Sequence, residues 1–260
     1  MSDPQYISSR ENALIKRLRQ LAQDSTAYRK QGQVWLEGDH LCRALLARGG
    51  RPELAVFTEE GLSVATDELR VACERIVVVP DHLMQGISGL ESAAHMGFVM
   101  GLPSALQVQG HVATVVLDRL QDAGNVGSIL RSAGAFGFRQ VLALKGTAAL
   151  WSPKVVRAGM GAHFGMHLVE GLSLSDLEAL QVPLLVTSSH RGNWLHRTTL
   201  PWPCAWVMGH EGQGVSAELE ARAGLHVRIA QPGGEESLNV AAAAAICLHA
   251  SAVTGPSLPD

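Results

Sequence analysis

From residue 112 onward, short runs of consecutive apolar residues alternate with segments whose apolar positions recur every three or four residues. The runs are VATVVLDRL (112–120), RQVLALKG (139–146), MHLVEG (166–171), PLLVTSS (183–189), CAWVMGH (204–210) and HVRIAQP (226–232). Between them, VGSILRSAGAFGF (126–138), SPKVVRAGMGAHF (152–164), LSDLEAL (174–180), SAELEARA (216–223) and a final alanine-rich segment read as helices. Strands apolar on both faces and separated by helices predict a parallel sheet with helices on both sides. Ligands bind such sheets beyond the carboxyl ends of the strands, so the polar loops after Leu117, Val186, Val207 and Ile229 are where a site is expected.

The first hundred residues have the same alternation on a smaller scale. ENALIKRLRQLAQ places Leu14, Leu18 and Leu21 at helical spacing, and VWLEGDHLCRALLARGG reads as a strand running into a helix that stops at Gly49 and Gly50. A strand over 52–58, a helix around Thr66 to Cys73 and a strand over 75–80 follow, and the unit ends near Met100. GLPSALQVQGH (101–111) has no sustained period and reads as a connection. The expected organisation is a first domain over 1–101, a linker over 102–111 and a second domain over 112–260.

At 260 residues and 47% hydrophobic, the chain is rich enough in apolar residues for packed cores and is not a disordered segment. Cys42, Cys73, Cys204 and Cys247 are far apart and form no CxxC, which fits a reducing compartment and neither a disulfide framework nor a zinc site. The eleven histidines show no HExxH motif, so no metal is expected. MSDPQYISSR has no signal-peptide pattern and no apolar run approaches a membrane span, so a soluble cytoplasmic protein is expected. A net charge of −3 argues weakly against a general nucleic-acid binder. Its distribution is uneven, however, because Arg10, Lys16, Arg17, Arg19, Arg29 and Lys30 face only Asp3, Glu11 and Asp24 in the first thirty residues.

The candidate chemistry lies in the last third. VMGHEGQGVS (207–216) and RIAQPGGEESLN (228–239) each follow an apolar run with a glycine-rich polar loop, and the second opens onto the final helix. Glycines let a backbone come close to a ligand, and a helix start offers free N–H groups and short polar side chains to the same space. The glycine spacing fits neither standard nucleotide fingerprint, and GMGAHFG (159–165) has its third glycine out of place and no strand before it.

With LDRLQDAGNVGSILRSAGAFGF (117–138), these two blocks form an ordered set that resembles the SpoU (TrmH) family of RNA 2′-O-ribose methyltransferases, of the SPOUT trefoil-knot class, over residues 112–250. The resemblance implies S-adenosylmethionine as cofactor, RNA as substrate (ribosomal more than transfer RNA), a knotted parallel-sheet domain, pairing of two copies through that domain to complete the active site, and a small N-terminal α/β substrate-binding domain similar to ribosomal protein L30e. It implies catalytic roles for Asn125, Arg131, Glu211, Ser237 and Asn239, and cofactor contacts from Thr187, Gly209, Gly212, Ile229, Gln231 and Leu238. Lys154 and Arg157 form a basic turn that approaches RNA in the same reading. A guanidinium does not give up its proton in a protein, so Arg131 is expected to grip phosphate and stabilise a developing alkoxide, with Glu211 or a phosphate oxygen taking the proton. Two departures bear on this. His210 stands where the family often has asparagine, and ESAAHMG (91–97), with His95, replaces a Thr-x-x-Pro-Gln-Gly element. They leave room for a rival reading, a non-catalytic RNA-binding or assembly protein that keeps the fold. Asn125 and Ser237 are also natural N-caps for the helices that follow them.

Overall fold

The computed structural model describes residues 3–104, 106–188, 191–233 and 237–255. It divides into two compact units, Met1–Ser104 with Trp151–Phe164, and Ala105–Leu150 with Gly165–Asp260. The division at 104/105 falls inside the stretch read as a connection, whereas 151–164, read as part of the second domain, groups with the first unit.

The first unit is a five-stranded mixed sheet with helices. In chain order it comprises β1 (Gln5–Tyr6), α1 (Ala13–Gln23), α2 (Ala27–Gln31), β2 (Gln33–Glu37), α3 (Asp39–Ala47), β3 (Leu54–Phe57), α4 (Glu59–Val64), α5 (Asp67–Val71), β4 (Ile76–Val78), α6 (Asp81–Ile87) and β5 (Met96–Gly101). The sheet order is β1-β4-β3-β5-β2, with β5 antiparallel to both of its neighbours. Asn12 caps α1, and Leu14, Ile15, Leu18, Leu21 and Ala22 form its buried face. Of the basic run expected there, Arg19 donates from Nε to Gly86 O at 2.9 Å and Lys16 pairs with Glu11 at 2.8 Å. The replaced element 91–97 is tied down by Ser88 Oγ and Ala94 N donating to Glu37. His95 stands with Nδ1 3.3 Å from Thr58 Oγ1.

The second unit is a seven-stranded, all-parallel sheet. Its elements begin with β6 (Thr114–Leu117), α7 (Ala123–Ala135) and β7 (Gln140–Leu144). The chain then passes through α8 (Pro153–Gly159) of the first unit, which packs on α1 and β2. It returns as β8 (His167–Leu172), β9 (Leu184–Thr187), β10 (Asn193–Trp194), β11 (Ala205–Met208), α9 (Ala217–Arg222), β12 (Leu225–Arg228) and α10 (Val240–Thr254). The strand order is β10-β12-β9-β11-β6-β7-β8. Val115, Val116, Leu117, Trp206 and Val207 are fully excluded from solvent, and burying each contributes about 1.5–3 kcal/mol. Trp206 Nε1 donates to Ser251 Oγ at 2.9 Å, so α10 lies on β11 with that indole dipole satisfied.

Three predicted helices differ in detail. The 152–164 segment stops at Gly159, where Met160 turns left-handed (φ 48°), and resumes as a 3-10 turn over Ala162–Gly165. A Cβ on Gly159 would lie 2.4 Å from the buried His163 ring, so that corner is packed too tightly for a continuous helix of ordinary residues. LSDLEAL is a 3-10 helix over Leu174–Ala179, started by a capping box between Ser173 and Asp176. The helix predicted from Val126 begins three residues earlier, at Ala123.

Candidate active site

Four neighbouring strands, β12, β9, β11 and β6, end level with one another: Leu117 lies opposite Met208, Val186 opposite Val207 and Thr187 opposite Val227. β6, β9 and β11 are largely apolar and buried, while β12 (LHVR) is only half-buried, so most polar groups for any chemistry come from the loops leaving the carboxyl ends.

Two of these loops hold each other through exchanged carboxylates. Asp118, 1% exposed, accepts from Ser216 N at 2.7 Å and from Arg119 Nε at 2.9 Å. In return Glu211 accepts from Asp122 N at 3.1 Å, Gln121 N at 3.4 Å and Asn125 Nδ2 at 3.4 Å. Arg119 holds a left-handed backbone (φ 61°), rare for a residue with a Cβ, and its Nη1 reaches Gln213 Oε1 at 3.2 Å. Asn239 extends the network: its Nδ2 donates to Asn125 Oδ1 at 3.0 Å, while its Oδ1 accepts from Ala241 N and Ala242 N and caps α10. Asn125, Glu211 and Asn239, far apart in sequence, thus form one hydrogen-bonded chain.

Partial burial opposes the charge on Glu211, but its own backbone N–H, those of Asp122 and Gln121 and the Asn125 amide outweigh it and hold the carboxyl below its ordinary range. A carboxylate stabilised in this way is a poorer proton acceptor. The geometry therefore makes Glu211 a residue that positions the first loop, and shifts proton acceptance away from it.

The capping expectations are corrected. Asp122, not Asn125, caps α7, with Oδ1 accepting from Asn125 N at 2.7 Å, which leaves the Asn125 amide for Glu211 and Asn239. Asn239, not Ser237, caps α10, and Ser237 stands exposed on a cavity wall.

That cavity, about 660 Å³, is lined by all six residues expected at a cofactor, Thr187, Gly209, Gly212, Ile229, Gln231 and Leu238, together with Glu211, Ser237 and Asn239. Its size suits a small-molecule ligand. Gln231 Oε1 is buried and accepts no hydrogen bond from the described residues, an acceptor that fits an amine-bearing ligand such as S-adenosylmethionine. The two loop glycines differ. A Cβ on Gly209 would lie 2.2 Å from Val215 N, so the loop's own fold requires glycine there, while a Cβ on Gly212 would meet only the His210 ring at 3.8 Å. Residues 234–236 of the third block lie outside the described residues.

Arg131 is not brought to this cavity. It is exposed on α7, six residues beyond Asn125, or about 9 Å along the axis and roughly 120° around it, and it has no ion pair among the described residues. Lys154 and Arg157 lie on α8 of the first unit. Among the described residues, no three His, Cys, Asp or Glu side chains are grouped as metal ligands would be.

Sequence reasoning missed Asp118, Arg119 and Ser216, and left His210 in doubt. His210 Nδ1 accepts from Gly212 N at 3.0 Å and Gln213 N at 3.3 Å, and its backbone exchanges hydrogen bonds with Gly214. An asparagine oxygen closes a turn in the same manner, and here the imidazole Nδ1 is the acceptor that closes it.

Residues 113–249 match the model of the SpoU rRNA Methylase family. The chain is 31% identical over 272 aligned positions to an uncharacterised tRNA/rRNA methyltransferase of Synechocystis sp., covering 95% of this chain and 93% of that protein. It is 26% identical to the 23S rRNA (guanosine(2553)-2′-O)-methyltransferase of Bacillus subtilis, covering 85% and 88%. The structure is similar to that of an AdoMet-bound rRNA methyltransferase from Sinorhizobium meliloti, with TM-score 0.81, 26% identity and coverage of 96% and 98%.

Proposed function

We propose for this chain, which belongs to the SpoU rRNA methylase family, the transfer of a methyl group from S-adenosylmethionine to a ribose 2′-hydroxyl of ribosomal RNA. Its class, an S-adenosylmethionine-dependent RNA methyltransferase, follows from family membership and from the similarity to an AdoMet-bound enzyme. Ribose as the acceptor and ribosomal RNA as the substrate draw support from the Bacillus relative, named for 2′-O-methylation of 23S rRNA.

The observation that carries the reading is the cavity at the carboxyl ends of four adjacent strands, walled by bare glycine backbone and by the buried acceptor Gln231 Oε1. The bound cofactor supplies an electrophilic methyl group on a sulfonium. Thr187, Gly209, Gly212, Ile229, Gln231 and Leu238 hold it, and Asn125, Glu211 and Asn239 fix the loops around it, so the chain's main contribution is orientation. Ser237 faces the same space. Arg131, with its guanidinium free of ion pairs among the described residues, grips an RNA phosphate and stabilises the developing alkoxide. Because it stands off its own cavity, Arg131 acts where two copies pair, and the apolar positions exposed on α10, Ile246 and Val253 among them, supply a pairing face. The threaded path of the last segment, an L30e-like role for the first unit in selecting RNA, and a cytoplasmic location belong to the same proposal.

The test is transfer of labelled methyl from S-adenosylmethionine to total RNA of a strain lacking the gene. One alkali-resistant site, made by the wild type and not by Arg131→Ala, is expected. No transfer to free RNA or to ribosomal precursor particles, from a folded protein, would favour the non-catalytic RNA-binding reading.

A further inference from the structure

The edge of the seven-stranded sheet carries an arrangement that methyl transfer itself leaves unused. β10 is two residues long and pairs with β12 so that Trp194 lies opposite Arg228. The Arg228 guanidinium lies over the Trp194 ring, 4.1 Å from its centroid, and its Nε donates to Gly192 O at 3.2 Å. Trp194 is 37% exposed, whereas Trp35, Trp151 and Trp206 are buried. The turn beneath it is built to fit, because Gly192 has φ +103° and a Cβ there would lie 2.4 Å from His226 O. Only glycine lets the chain press against β12 at that point.

Charge and position say what this surface meets. Arg191 and Arg197 lie three residues to either side of Trp194 in the chain, Arg228 covers its ring, and residues 191–200 and 225–233 contain no acid. Glu220 pairs with Arg191. The following residues, Leu195 and His196, line a shallow apolar groove with Ile229 and with Ile246 of α10, where the groove runs into the pairing face proposed above, and Ile229 also lines the proposed cofactor cavity. The platform therefore borders the reaction site.

We propose that Trp194, backed by Arg228, is a stacking platform for an unpaired nucleobase of the RNA substrate beside the nucleotide that is methylated. This rests on the function proposed above. An exposed indole offers a flat face to any base, and the guanidinium beneath it adds cation–π attraction and a partner for the neighbouring phosphate. A second copy of the chain fits the surface less well, since a two-fold interface would bring the same arginines face to face.

The experiment titrates the whole protein with a ten-nucleotide oligoadenylate and with total ribosomal RNA, following tryptophan emission and its quenching by acrylamide. In the wild type, the oligonucleotide is expected to quench emission and shield it from acrylamide, and Trp194→Phe, which keeps a stacking ring, should bind within a few-fold but lose that signal. Trp194→Ala should weaken RNA binding roughly 5- to 100-fold and raise KM for methyl transfer, with S-adenosylmethionine affinity and kcat within about twofold of wild type. Unchanged RNA affinity in Trp194→Ala overturns the platform, as does a change in its solution mass with RNA affinity intact, which would mark a protein contact. Should that variant not fold, wild-type emission left unshielded by saturating oligoadenylate overturns it equally. Shielded emission in a protein that neither binds S-adenosylmethionine nor transfers methyl would keep the platform and sink the enzymatic reading instead.

Discussion

Substituting Glu211 separates positioning from proton transfer. Its carboxylate receives two backbone N–H groups and one side-chain amide at 3.1–3.4 Å, longer than the usual charge-assisted bond, and the residue is solvent-exposed. Each bond is therefore taken at the low end, about 0.5–1 kcal/mol. Glu211→Ala removes all three, and the loss of about 1.5–3 kcal/mol should appear as a roughly 10- to 160-fold weaker Kd for S-adenosylmethionine by calorimetry. Glu211→Gln keeps one oxygen but turns an amide N–H toward a backbone N–H, costing about 1 kcal/mol, or roughly fivefold. The pH dependence follows from the lowered pKa. A carboxyl held below its ordinary 4.5 stabilises the clasp at all higher pH, and that stabilisation is lost as pH falls through the folded value. Wild-type cofactor affinity should thus persist to below pH 4.5 before falling, and the glutamine variant should lack that acid limb. If Glu211→Gln abolishes kcat while leaving cofactor affinity unchanged, Glu211 is the proton acceptor and the positioning argument fails.

Three further outcomes are expected. His210→Asn should bind S-adenosylmethionine within about twofold of wild type, while His210→Ala, losing both turn-closing bonds, should bind roughly five- to tenfold more weakly by the same calorimetry. Neither Arg131→Ala nor a cofactor-dead Gly209→Val should transfer methyl alone, yet a mixture unfolded and refolded together should recover roughly a quarter of wild-type activity if Arg131 serves a partner's cavity, since one site in four would then combine both intact halves. No recovery would place Arg131 in its own site. The four cysteines are buried, and burial pushes the Cys204 thiol up to about 11 and Cys247 to about 12, so a thiol-specific reagent at pH 8 should label none of the four until the protein unfolds. Fast labelling of native protein would contradict that burial.

What the sequence made legible was whatever depends on neighbours along the chain. Consecutive apolar residues such as those of VATVVL announce a strand buried on both faces, and β6, β9 and β11, three such strands, do end level with β12 at one end of the sheet. Short elements escaped. β10 has two residues and no period to detect, which hid the Trp194 platform. β5 runs through MGFVMG, whose glycines and methionines mark a strand poorly although it pairs with a neighbour on each side. The helix starts were misplaced because Asp122 and Asn125, like Ser237 and Asn239, are each a pair of competent caps a few residues apart, and propensity does not choose between them. The carboxylate exchange joins residues about ninety to a hundred positions apart, beyond the reach of any local pattern.

That exchange also explains why the first two blocks work as a unit. Asp118 in the first loop satisfies a backbone N–H of the second, and Glu211 in the second satisfies two of the first, so neither loop reaches its position without the other. Arg119 pays for its left-handed backbone through the bond to buried Asp118 and the reach to Gln213. The first loop leads into α7 and Arg131, and the second lines the cavity. A ligand that orders the second loop therefore also fixes the start of α7 and, through Asn125 and Asn239, the start of α10. Cofactor and RNA are on this argument coupled through a few hydrogen bonds, and the coupling should weaken with Glu211→Ala even where each ligand still binds.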